Sequence, residues 1–173
     1  MGVGGDPYVQ PARQKEVFGF GLTQKGVMPV QVFVQNRGDR RLLIRPSDLR
    51  LALPDGSHIS PAGVSAVVSK LQKDEHHFWA FFFGGFLGHA AAVSASDKAT
   101  ADLMADYRSK ELQELMLGKE ESGHGFVYFI PVPGTPAFTD ATLLVRFVDP
   151  QEATGFVIEL ALDGLGFKGT PAK

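Results

Sequence analysis

The chain has no cysteine among its 173 residues. That absence removes disulfides, thiolate nucleophiles, cysteine-ligated zinc and iron–sulfur clusters together, and it leaves the redox compartment open. Charge of one sign is also missing: seventeen basic side chains face nineteen acidic ones, a formal net charge of -2. No global field then gathers phosphate backbones or anionic lipid, so nucleic acid is not an expected partner. The first fifteen residues, MGVGGDPYVQPARQK, contain no basic region followed by an apolar core, so no signal peptide is legible. A Met-Gly start before a Gly/Pro-rich stretch fits a mature chain that begins downstream of a removed export signal. A natural flexible N-terminus fits equally.

The catalytic and cofactor signatures are missing as well. There is no GxSxG elbow, no HExxH or HxxxH pair and no GxGxxG that follows a strand and opens a helix; GLGFKG at 164–169 closes the chain instead. His58, His76, His77, His89 and His124 are scattered, and adjacent histidines on a helix point about 100° apart. The paired carboxylates Asp74-Glu75 and Glu120-Glu121 lie in hydrophilic stretches, where no burial raises a pKa toward general-acid work. We therefore expect no catalytic residue, no metal site and no cofactor, and a protein that is not an enzyme.

What is there is a pattern of strands on both sides of a helical block. Residues 1–15, rich in Gly, Pro and Gln, are expected to be flexible, with a single domain over 16–173. EVFGFGL offers a short first strand. In VMPVQVFVQ, Val30, Val32 and Val34 share one face while Gln31, Phe33 and Gln35 share the other. Asn36-Arg37-Gly38-Asp39 supplies turn chemistry, Leu42, Leu43 and Ile44 resume extended chain, and Leu49, Leu51 and Leu53 run with period two into PDG. After position 60 the period changes. Ser60 can cap a helix with Pro61 in its first turn, and Val64, Val67, Val68 and Leu71 form one apolar stripe, which predicts a helix over about 61–74. SASDKATADLMADYRSKELQELMLGKEESG again reads helical, with Leu103, Met104, Tyr107, Leu112, Leu115 and Met116 available for one face, Gly118 as its terminator, and Ser109 as a fresh cap or a bend. GFVYFIPV, ATLLVRFVD and GFVIELALD then return to strand periodicity. No strand–helix alternation supplies parallel crossovers, so the expected fold is mainly β: an antiparallel sandwich of about seven strands interrupted by a helical insert at about 60–122.

Two stretches carry a resemblance. VMPVQVFVQNRGDRRLLIRPSDLRLALPDGSHIS resembles the early strands, and GHGFVYFIPVP followed by TLLVRFVD the later strands, of immunoglobulin-like β-sandwich domains of exported or lipid-anchored bacterial envelope proteins of unknown function. Together they cover roughly eighty residues, all outside the insert. The resemblance implies an immunoglobulin-like fold and a periplasmic or outer-membrane-anchored location, and it transfers no catalytic residue.

The distinctive segment is HHFWAFFFGGFLGHAAAV, residues 76–93. Its part from Phe78 to Val93 is sixteen residues long, short of the roughly twenty a spanning helix needs. Six clustered aromatic rings left in water would promote association, so this stretch is expected to pack on the sandwich or to meet a partner. Phe78, Trp79, Phe81, Phe82, Phe83, Phe86 and Leu87 are the candidate contacts. The expected function is that of an interaction or scaffold module of the cell envelope, with a protein partner and possible homo-oligomerisation. The alternative is a lipid- or hydrophobic-ligand-binding protein whose insert touches membrane or covers a cavity.

Overall fold

The structure, a computed structural model, describes residues 1–19, 21–73, 89–132 and 140–162; the side chains of 73 and 89–97 lie outside the description. It divides into two compact units, one made of 1–62 with 111–173 and the other of 63–110.

The first unit is mainly β, with two antiparallel sheets packed against each other. One sheet has four strands in the order β1-β2-β8-β6, formed by Gly2–Pro7 (β1), Met28–Gln35 (β2), Ser122–Phe129 (β8) and Pro61–Ala62 (β6). The other has six: Leu42–Ile44 (β3), Leu49–Ala52 (β4), His58–Ile59 (β5), Leu115–Leu117 (β7), Thr142–Asp149 (β9) and Thr154–Ala161 (β10). Strand β9 pairs with β10 along one edge, while its other edge is shared in tandem by β4, through residues 142–145, and β3, through Val148. The expected alternation holds. Val30, Val32 and Val34 turn inward from β2, Leu143, Val145 and Phe147 from β9, and Leu49 and Leu51 from β4, all into one core. A period of two lets each strand bury one row against the facing sheet and leave the other row for solvent or a covering helix.

Several local expectations are overturned. The described residues of EVFGFGL form no strand: helix α1 runs over Pro11–Phe18, with Pro11 in its first turn and Gly19 in the left-handed conformation at its end, φ 81°. Gln14 and Phe18, one helical turn apart, are its buried side chains. The spacing of Gln14 and Phe18 had no apolar stripe around it, so the short run Val17–Phe18 reads as extended from sequence alone. Residues 2–7, expected to be flexible, form the edge strand β1, paired with Val30–Gln35 over its whole length. Backbone hydrogen bonds need no large side chain, which is why a glycine-rich segment can supply a strand without announcing it.

The long helical reading past Lys110 also fails. Helix α3, His89–Lys110, stops there, and the chain crosses to the four-stranded sheet. The Leu112 amide donates to the Phe126 carbonyl at 2.8 Å, and Leu112 itself is fully buried. Leu115 and Met116 lie in β7, paired with Ile44 and Leu43. Non-local pairing outcompetes the helical propensity of KELQELML. Ser109 caps no new helix; its hydroxyl donates back to the Asp106 carbonyl at 2.6 Å.

The second unit holds helix α2, Val64–Lys73, and α3. Helix α2 starts three residues later than expected, because Pro61 and Ala62 pair with Phe129 and Tyr128 as β6. The Gly63 carbonyl then accepts from the Ala66 and Val67 amides and takes the capping place assigned to Ser60. The stripe Val64, Val67, Val68 and Leu71 is buried as the period requires. Gln72 of α2 donates through Nε2 to Thr100 Oγ1 of α3 at 2.7 Å. No helix among the described residues is long and apolar enough to cross a membrane.

Candidate functional site

The outer face of the four-stranded sheet is built in rows set by its register. Directly opposed residues run Gly2–Gln35–Ser122, then Gly4–Phe33–His124, then Asp6–Gln31–Phe126, with Pro29–Tyr128 beyond. Helix α1 covers the last two rows. Tyr8 meets Phe126 edge-on at 5.2 Å between centroids, and Phe18 meets Phe126 at 4.9 Å and Tyr128 at 6.1 Å, all in T-shaped geometry. Such edge-to-face contacts add about 0.5–1.5 kcal/mol each beyond area burial. Arg13 pins the helix to β1. Its guanidinium reaches both Asp6 carboxylate oxygens, at 2.7 and 3.3 Å, and stacks over the Tyr8 ring at 3.9 Å. The Asp6 hydrogen bond moves its pKa still higher. Gln14 is buried: Nε2 donates to the Tyr8 carbonyl, and Oε1 accepts from the Thr23 amide and hydroxyl at 3.0 and 3.2 Å.

The first two rows stay open. They form a shallow concavity of about 450 Å3 lined by β1, β2 and β8 residues. Phe33 is 45 % exposed although it sits mid-strand. Its ring lies nearly parallel to that of His124, 23° between planes and 6.1 Å between centroids. The adjoining floor is glycine. A Cβ at Gly4 would come no nearer than 3.9 Å to Phe33, and one at Gly2 no nearer than 3.8 Å to Gln35 and Arg37, so both glycines leave usable space rather than relieve a clash. At the rim, Arg37 Nε donates to Gln35 Oε1 at 3.0 Å. That bond orients the guanidinium, whose Cζ lies 3.9 Å from where a Cβ on Gly2 would be, and Arg37 lines the concavity. No carboxylate pairs with Arg37 among the described residues.

Asn36, 1 % exposed, fixes the strand end that carries Arg37. Its Nδ2 donates to the carbonyls of Arg40 at 2.7 Å and Leu117 at 3.0 Å, while Oδ1 accepts from the Gly38 amide at 3.0 Å. Its backbone also exchanges bonds with Glu120 and Glu121. The side chain thus closes the turn it begins and ties it to β7. Gly123-His124-Gly125 lies inside β8, and Gly125 is required there by the crossing chain: a Cβ would sit 2.4 Å from Leu112 Cα.

The aromatic candidates Phe78, Trp79, Phe81, Phe82, Phe83, Phe86 and Leu87 lie outside the described residues, as do His76 and His77. His58 lies on β5 and His124 on β8. Among the described residues no group of three or more His, Cys, Asp or Glu is placed to hold a metal ion. The groove itself was missed because β1 was not anticipated. One signal was available: Phe33 sits in the polar phase of β2, between Gln31 and Gln35.

No protein-family model and no curated protein sequence matches this chain. Among solved structures it is similar to the yjhA protein from Bacillus subtilis, at 9 % identity and a TM-score of 0.39, over 78 % of this chain and 74 % of that one.

Proposed function

We propose that this protein is a non-enzymatic interaction module of the bacterial cell envelope, an immunoglobulin-like sandwich that binds its ligand through the open face of the four-stranded sheet. The observation that carries the reading is the uncovered row Gly4–Phe33–His124 with Arg37 at its rim. An exposed phenyl beside an imidazole, over a glycine floor, suits a ring that presents a flat apolar face. An arginine held by Gln35 suits a carboxylate. The ligand that fits is an acidic glycan. The likeness of the strand motifs to exported bacterial sandwich domains supports the envelope location.

Titration with soluble muropeptides, which join sugar rings to carboxylates, tests this by amide chemical-shift mapping. Shifts confined to residues 2–4, 33–37 and 122–124 are expected, lost in Phe33→Ala and in Gly4→Val, which fills the floor with a strand-compatible side chain. Saturating ligand with no shift in those rows would refute the reading.

The six aromatic rings within 76–93 favour a second reading, in which that segment contacts lipid or covers a hydrophobic ligand. Liposome flotation of the wild type but not of the Phe81→Asp/Phe86→Asp double variant is its expected result, and absence of flotation counts against it.

A further inference from the structure

The edges of the two sheets are not equally protected. Strand β1 carries Asp6 and Pro7 with three glycines, β6 is two residues long and starts with Pro61, β5 is two residues long and β7 three. Short length, proline and charge are the usual guards against pairing with another chain. Strand β10 is neither short nor interrupted by proline. It offers eight residues, TGFVIELA, with Glu159 as its one charge, and no strand pairs with its outer edge among the described residues.

Its side chains fall into two rows. Phe156, Ile158 and Leu160 stand opposite the core residues Phe147, Val145 and Leu143, yet Phe156 is 42 % exposed while stacked on Phe147 at 5.4 Å. On the other face Val157, 52 % exposed, stands opposite Arg146. The inner row is core material at a margin that ends too soon, and the backbone beside it has its hydrogen-bonding groups turned outward.

We propose that β10 is the seam of a homodimer, in which two copies pair their β10 strands antiparallel about a two-fold axis at Ile158. Opposed residues of an antiparallel pair point to the same face, so a continuous inner face requires the axis to pass through a residue rather than between two. An axis at Glu159 opposes two carboxylates. An axis at Val157 sets Thr154 against Leu160 of the partner subunit. With the axis at Ile158, Phe156 meets Leu160 of the partner subunit, Ile158 meets its own copy, and within the paired span 155–161 the inner row is apolar, Thr154 falling outside it. On the outer face Val157 meets Glu159 of the partner subunit, in the same cross-sheet row as Arg146. Arg146 and that glutamate stand two strand spacings apart, about 10 Å, a span their two side chains bridge over Val157. Arg146 already leans along the sheet: its Nε lies 3.5 Å from where a Cβ on Gly155 would be. No carboxylate pairs with it among the described residues. Apolar and charged complementarity therefore select one register of one self-pairing.

Sedimentation equilibrium of the full chain tests the proposal, with circular dichroism and urea melts as the control for folding. The wild type should sediment at twice the monomer mass. Val157→Glu, on an exposed site, places a carboxylate against Glu159 of the partner subunit twice per dimer and should weaken dimerisation at least tenfold. The double variant Val157→Glu/Glu159→Lys restores opposite charges in that register alone and should recover the dimer. Independently of any variant, hydrogen exchange of wild-type amides 154–161 should slow as protein concentration rises. A wild type that stays monomeric at 200 μM, an unaffected Val157→Glu dimer, or a double variant that fails to recover would each overturn it. A monomer whose β10 amides are protected at every concentration would likewise overturn it, since another segment would then cover the edge.

Discussion

Replacing Asn36 with alanine tests whether one buried amide holds the binding rim in place. Three side-chain hydrogen bonds disappear: two donated to the Arg40 and Leu117 carbonyls and one accepted from Gly38. The bond to Leu117 is fully buried, so its carbonyl is left without that donor and without water. An unsatisfied buried polar group costs about 1–3 kcal/mol, and each part-buried bond about 0.5–1.5 kcal/mol. The sum over the one buried and two part-buried bonds for Asn36→Ala is therefore a loss of about 2–6 kcal/mol. With an m-value of about 2 kcal/mol/M, the urea midpoint should fall by about 1–3 M at unchanged m. Asn36→Asp separates the donors from the acceptor. The carboxylate still accepts from Gly38, yet it sets negative charge against two carbonyl oxygens, so it should be at least as unstable as Asn36→Ala at pH 7. A midpoint change for Asn36→Ala worth less than 0.5 kcal/mol, or an Asn36→Asp variant as stable as wild type, would refute the reasoning.

Gly125→Ala drives a Cβ to within 2.4 Å of Leu112 Cα and 2.6 Å of its nitrogen, so the crossing chain must move; a loss on the order of 3 kcal/mol is expected in chemical denaturation. Ala153, at φ 51° in the β9–β10 turn, is a non-glycine residue in the left-handed region. Ala153→Gly should raise stability by about 0.5–1 kcal/mol, read as a higher melting midpoint, because relief of the left-handed cost exceeds glycine's unfolded-state entropy. Asp55 accepts hydrogen bonds from the hydroxyl and amide of Ser57, which hold its pKa below the usual 3.8. A depressed carboxylate pKa contributes stability that is complete above the unfolded value and lost as pH falls through the folded one. Comparing Asp55→Asn with wild type in urea melts from pH 5 to pH 2 should therefore show the wild-type advantage shrink toward the acid end.

How much was legible in advance follows from the range of the forces involved. The rows Val30–Val32–Val34, Leu49–Leu51 and Leu143–Val145–Phe147 could be read because alternation is a local pattern, and burial of one face is what it encodes. The stripe Val64, Val67, Val68 and Leu71 was legible on the same ground, at the helical period. The turn at Asn36 was visible from its residue types, though not its bond to Leu117, 81 positions away.

The sequence by itself determined a cysteine-free, nearly neutral chain that alternates strand periods around a helical block, because periodicity and composition act over a few neighbouring residues. Only the tertiary structure decided that a glycine-rich leader becomes an edge strand, that KELQELML leaves its helix to pair with β3, and that α1 covers half of one sheet face while Phe33 and His124 stay open. Those outcomes depend on backbone partners brought from far along the chain. The free energy of such pairing belongs to both segments at once and is written in neither.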